Sequence, residues 1–142
     1  MIIVISILLF LIFLFISSIH FYWAFGGQKG SDEVLPTKDD NTTKVLNPTT
    51  GSTLIVAFGL LGFGLFILSM SGLTTFSVPN WLTKYGLWTI GGVFTLRAIG
   101  DFKYVGLFKK IKQTTFGKND TKYFTPLCLM IVILTIILTV KK

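Results

Sequence analysis

The sequence predicts an all-α fold, a four-helix transmembrane bundle with both termini on the outer side of the membrane. Three observations lead there. Hydrophobic residues make up 51% of the 142 and charged residues only 13%, about half the charged share of a soluble domain. Residues 1–19, 51–83 and 123–140 contain no Asp, Glu, Lys or Arg, and about 20 apolar residues suffice for a helix to cross roughly 30 Å of hydrocarbon. The cations are unevenly divided between alternate connections, the pattern that sets orientation in a bilayer.

The first helix is expected over residues 2–23, rich in Ile, Leu and Phe, ending in His20-Phe21-Tyr22-Trp23 and broken by Gly26-Gly27. It lacks the basic start and small-residue cleavage site of a signal peptide, so it reads as a retained span. A polar connection, residues 24–52, carries Pro36, Pro48 and Asp39-Asp40-Asn41. Its acids lack the glycine turn and distal Glu of a calcium loop. A connection this long is either a lid or disordered.

The second helix, 53–70, carries Gly59, Gly62, Gly64 and Ser69, and the third, 81–100, carries Gly86, Gly91, Gly92 and Thr95. Small residues let helix backbones approach closely in lipid, so these two are expected to be the tight pair of the bundle. The third reaches spanning length only with Lys84 and Arg97 near its two ends. Residues 101–122 form the second long connection, and the fourth helix, 124–140, opens on Thr125-Pro126, with proline in its first turn. The chain is a single integral-membrane domain over 1–142. The two long connections hold Lys29, Lys38, Lys44, Lys103, Lys109, Lys110, Lys112, Lys118 and Lys122, against Lys84, Lys141 and Lys142 on the opposite side. That asymmetry places the connections in the cytoplasm.

Arg97 is the only arginine, and an ionised group at membrane depth is normally paired and functional. Its side chain leans back toward the middle of the helix, so a fixed anion is expected against it. Asp101, at i+4 on the same face, is the local candidate. A carboxylate at a helix C-terminus opposes the macrodipole, so Asp101 needs a second donor, for which Lys103 and Tyr104 are at hand. His20, the only histidine, titrates near neutral pH and can donate or accept a proton. At the end of the first helix it stands at the same expected depth, beside Trp23. Arg97, Asp101, His20, Trp23, Lys103 and Tyr104 thus form the candidate ligand-binding group, with His20 as the candidate acid or base. The plain alternative is a structural Arg97–Asp101 pair with His20 in an aromatic interfacial belt.

Residues 102–122 interleave aromatics and lysines, as in Phe108-Lys109-Lys110-Ile111-Lys112, a pattern that suits anionic lipid headgroups. Nucleic acid is not expected as a partner, because the basic residues adjoin membrane helices and no reader fold is present. No metal or cofactor is expected: there is no His/Cys cluster and no phosphate-cradling loop. Cys128 is the only cysteine, which excludes an intrachain disulfide and suggests a small buried hydrophobe. A proton-coupled pump would need a membrane-embedded acid, and only Asp101 is placed to serve.

His20 to Gly27, Leu96-Arg97-Ala98-Ile99-Gly100-Asp101-Phe102-Lys103-Tyr104-Val105-Gly106, and the run from Thr121 ending Tyr-Phe-Thr-Pro-Leu-Cys-Leu resemble a bacterial family of small four-helix membrane proteins, domain of unknown function 3995. The likeness runs in the same order along nearly the whole chain. The matching positions are His20, Trp23, Gly26, Gly27, Pro48, Arg97, Gly100, Asp101, Phe102, Gly106, Asp120 and Pro126. The resemblance implies an integral membrane protein of bacteria and no particular activity. The lysine- and isoleucine-rich composition suits a low-GC bacterium, and the expected location is its cytoplasmic membrane.

The leading expectation is an interfacial pocket for an anionic headgroup or phosphate, since the guanidinium fork grips such groups bidentately. The alternatives are a small membrane enzyme acting on a lipid or isoprenoid, with His20 as acid/base, and a structural or accessory subunit of a membrane complex. Membrane lipids are the expected partners, with homo- or hetero-oligomers open.

Overall fold

A computed structural model describes residues 1–27, 35, 49–75, 77–100 and 105–141. These residues are helical with no strand among them: α1 (Ile2–Ala24), α2 (Thr50–Met70), α3 (Asn80–Ile99), a short α4 (Thr115–Asn119) and α5 (Thr125–Lys141). A single π-helical turn, Asp120–Phe124, joins α4 to α5 without a break. Residues 28–34 and 36–48, which include Asp39-Asp40-Asn41 and most of the expected lid, lie outside the described residues.

Three helical stretches among the described residues are long and apolar enough to cross a membrane: Ile2–Ala24, Thr50–Met70 and the continuous Thr115–Lys141. The chain therefore has the makings of a membrane protein. α3, which carries Lys84 and Arg97, is not among them.

The helices associate as two pairs. α1 lies antiparallel on α2: Ser17 Oγ donates to Ala57 O at 2.7 Å, while seven residues back along α1 and seven on along α2, Gly64 receives the Phe10 and Phe13 side chains. α3 lies antiparallel on α5, with Arg97 against Asp120 and Gly91 against Thr135. Leu9, Phe13, Ile67, Ile90 and Ile131 unite both pairs in one core with almost no exposure, and Phe13 meets Phe94 at 5.4 Å between ring centroids.

This corrects the expectation that the glycine-rich second and third helices form the tight pair. α2 and α3 touch mainly where the Phe66 ring lies on Gly86, and elsewhere an open apolar groove of about 340 Å³ separates them. Gly59, Gly62 and Gly92 have no neighbour within 4 Å of a built Cβ. Small residues permit close approach but do not impose it; contact forms where a bulky side chain finds a matching hollow. Here Phe10 and Phe13 fill the hollow at Gly64, while Phe63 and Phe66 hold α2 away from α3.

The last helix also begins earlier than the apolar pattern indicates. Thr114 caps its start, accepting a hydrogen bond from Gly117 N at 3.0 Å, and Phe116 and Gly117 turn inward. Lys118 and Lys122 stand exposed on the opposite side, so charges read as loop charges belong to an amphipathic helical lead-in. Pro126 is accordingly preceded by helix. A proline lacks the N–H for the i−4 carbonyl and clashes with it; the wider turn before it, in which Thr125 N–H reaches Asp120 O five residues back, adapts the register.

The two glycine environments on α2 separate cleanly by experiment. Gly64→Leu is expected to cost about 1–3 kcal/mol by overpacking against Phe10 and Phe13, whereas Gly62→Ala is expected to be neutral or stabilising, because its face is open. Thermal unfolding in detergent checks both.

Candidate functional site

At the C-terminal end of α3, Gly106 comes back onto Gly100, backbone against backbone. Gly100 has φ +79° and ψ −160°, a region open essentially only to glycine, and Gly106 has φ +93°. Their Cα atoms face one another so closely that a Cβ on Gly100 collides with Val105 O and one on Gly106 with Ile99 O. Leu107 N–H then donates to Ala98 O at 2.8 Å, closing the loop onto the last turn of the helix.

That loop aims the Gly106 amide and the Lys109 side chain at one point. Asp120, the first residue of the π turn, has no solvent exposure. Its Oδ2 accepts from Gly106 N–H at 2.7 Å and lies 3.3 Å from Lys109 Nζ; its Oδ1 accepts from Arg97 Nη2 at 2.9 Å. Lys109, only 4% exposed, also donates to Gly106 O at 3.2 Å and to Thr121 Oγ1. Three acceptors thus meet the three donors of its ammonium. A buried carboxylate costs several kcal/mol unless its charge and lone pairs are met, and here two cations and an amide meet them.

Arg97 therefore has a fixed anionic partner, and it is Asp120, 23 residues along the chain. Asp101, Lys103 and Tyr104 lie outside the described residues. Sequence reasoning numbered Asp120 among the family-matching positions but did not bring it to Arg97, and it counted Lys109 among the loop lysines. One signal was available: Asp120 is the sole acid from residue 105 to the C-terminus, amid five lysines between 109 and 122.

Arg97 is not fully used. Its side chain is 33% exposed, and Nη1 is buried without a hydrogen-bond partner. Along α5, Thr125 Oγ1 is likewise buried without a partner, and Cys128 lies in the core within electrostatic reach of both Arg97 and Asp120. Among the described residues, two cations against one carboxylate leave this centre an excess positive charge.

His20 is half-buried near the end of α1. Its Nδ1 lies 2.8 Å from Ile16 O; a carbonyl only accepts, so Nδ1 carries the proton and Nε2 is the basic nitrogen. The ring meets Trp23 edge-on, 5.2 Å between centroids. Among the described residues no hydrogen bond joins His20 to Arg97.

The model for the family described as protein of unknown function DUF3995 matches residues 13–135. The chain belongs to that family. The matched span takes in every group of this centre, from Arg97 through Gly106 and Lys109 to Asp120 and Thr121, and His20 as well. No curated protein and no solved structure matches the chain.

Removing the central carboxylate is expected to be severe: Asp120→Asn leaves Lys109 buried without its counter-charge and costs about 3–5 kcal/mol. A double-mutant cycle of Arg97→Gln with Asp120→Asn, read by thermal unfolding in detergent, is expected to give a coupling of about 0.5–3 kcal/mol. Additive effects would remove the pair. Gly106→Ala, which places a methyl against Ile99 O, is expected to open the loop and destabilise the protein as much as the loss of Asp120.

Proposed function

We propose that this DUF3995 protein spans the membrane four times with both termini outside, and that its Arg97 end holds an anionic headgroup or phosphate at the cytoplasmic interface. The 20-residue α3 rises roughly 30 Å, the thickness of the hydrocarbon. Its two cations suit a crossing: Lys84, exposed, lies over the Tyr85 ring at 5.3 Å, and Arg97 is paired. Exposed Trp81 and Tyr85 at one end, and Tyr22 and Tyr123 near the other, suit aromatic belts at the two interfaces. Antiparallel pairs α1/α2 and α3/α5 fit an up-and-down bundle. The lysine asymmetry still favours cytoplasmic connections with Lys109 withdrawn into the interior.

The continuous helix Thr115–Lys141 has 27 residues and rises roughly 40 Å, about 10 Å more than the hydrocarbon. Its first turns, with Asp120, therefore stand at headgroup depth. A phosphate oxygen arriving there meets the observation that carries the reading: a buried guanidinium nitrogen, Nη1 of Arg97, with no acceptor. Leaving such a donor unmet costs about 1–3 kcal/mol, and an anion recovers it while neutralising the excess charge.

Native mass spectrometry of the purified protein in mixed anionic and zwitterionic lipid tests this. The wild type is expected to retain a phosphate-bearing adduct that Arg97→Lys loses on the order of tenfold, the worth of one charge-assisted hydrogen bond. Lys keeps the charge but not the second nitrogen. Identical adducts in both proteins would overturn the reading.

A further inference from the structure

Within residues 105–114, two polar side chains are buried beside two large apolar ones that are exposed. Lys109 and Thr114 are buried, while Leu107 and Phe108 are 50% and 59% exposed. An isolated loop in water would do the reverse. The cause is the Asp120 centre: by drawing Lys109 Nζ inward onto the carboxylate, Gly106 O and Thr121, it commits the residues just before it to point outward. The Leu107 N–H to Ala98 O bond fixes this apolar tip to the end of α3, where the helix leaves the hydrocarbon.

Among the described residues, the exposed charges that follow the tip have one sign. Lys110, Lys112, Lys118 and Lys122 are all exposed, and Lys122 lies 5.1 Å from the ring centroid of exposed Tyr123. Asp120, the only carboxylate side chain among the described residues, is buried and already paired. Lysines spread over a loop in order to stay solvated do not require large hydrophobes held out beside them. An apolar wedge ringed by cations, with no exposed acid among the described residues, has the chemistry of a monolayer-inserting element.

We propose that Leu107 and Phe108 form a rigid wedge that enters the headgroup region of the adjoining leaflet, and that Lys110, Lys112, Lys118 and Lys122 recruit anionic phospholipid around it. The ligand is the lipid surface itself, gathered by exposed lysines. It differs from the single headgroup proposed at Arg97, and neither depends on the other. Lysines near an anionic leaflet act additively and are screened by salt, so the recruitment falls as ionic strength rises.

The full-length protein in nanodiscs of mixed phosphatidylglycerol and phosphatidylcholine provides the test. The lipid retained after brief detergent extraction is expected to be enriched in phosphatidylglycerol roughly tenfold over the bulk, and in Lys110→Gln/Lys112→Gln/Lys118→Gln/Lys122→Gln the enrichment is expected to fall to no more than the single headgroup per protein proposed at Arg97. All four positions are exposed and outside the Asp120 centre, so that variant retains its fold and its Arg97. If it keeps the enrichment, the lysines serve only to orient the chain and the proposal fails.

Phe108→Trp supplies the second readout. In the same membranes, acyl-chain-brominated lipid is expected to quench the fluorescence of the introduced indole beyond that of the wild type's own tryptophans. An added signal unquenched by brominated lipid but shielded from aqueous acrylamide means that protein covers the tip, which overturns the proposal. One open to acrylamide means that the tip stands in water, and overturns it equally.

Discussion

Asp120 is a carboxylate with no solvent exposure, placed where α4 passes into the π turn that leads to α5, and three donors from a single loop and helix end converge on it. Its burial is tolerable only while all three are present, because one unpaired charge in a low-dielectric site costs more than any single hydrogen bond contributes. That condition reaches outward. The Gly106 amide points at the carboxylate because Gly100 and Gly106 sit backbone to backbone, and Lys109 reaches it because the same loop folds onto Ala98. Arg97, at the end of α3, is held by the other oxygen of the same carboxylate, Oδ1.

The π turn belongs to this arrangement. With Pro126 unable to donate to the carbonyl four residues before it, an ordinary helix would strain there. The wider turn inserts one residue, and the buried positions then run Asp120, Thr125, Cys128, Ile131, Thr135 and Leu138 down the helix. Asp120 thereby joins the stripe that faces the core, and Lys118 and Lys122 are left outside it. Charge enters the bundle at one point and is excluded from the rest of the face.

Association of the helices depends on shape. In lipid, burying one apolar surface on another yields little, since hydrocarbon already surrounds both, and packing decides. Gly64 and Gly91 sit where a neighbour fits them; Gly59, Gly62 and Gly92, of the same residue type on the same helices, face open space. Residue type alone does not distinguish these glycines, because the difference lies in what stands opposite.

The helical class, the three apolar stretches and the break after α1 were legible in the sequence, because each rests on local quantities: a run without charge, a glycine pair. So was the requirement for an anion against Arg97, since charge balance in a low-dielectric medium is a composition-level demand. That Asp120 supplies one was not legible. Asp101 is four residues away and Asp120 is 23, and only the antiparallel meeting of α3 with the lead-in to α5 brings the distant one within 2.9 Å. The same holds for Lys109, one of twelve lysines by sequence and a buried structural ion by virtue of the loop that carries it. The sequence determined how much charge the membrane boundary must absorb. The tertiary structure decided which groups absorb it, because ion pairing depends on distance in space and the chain returns to that point from far along its length.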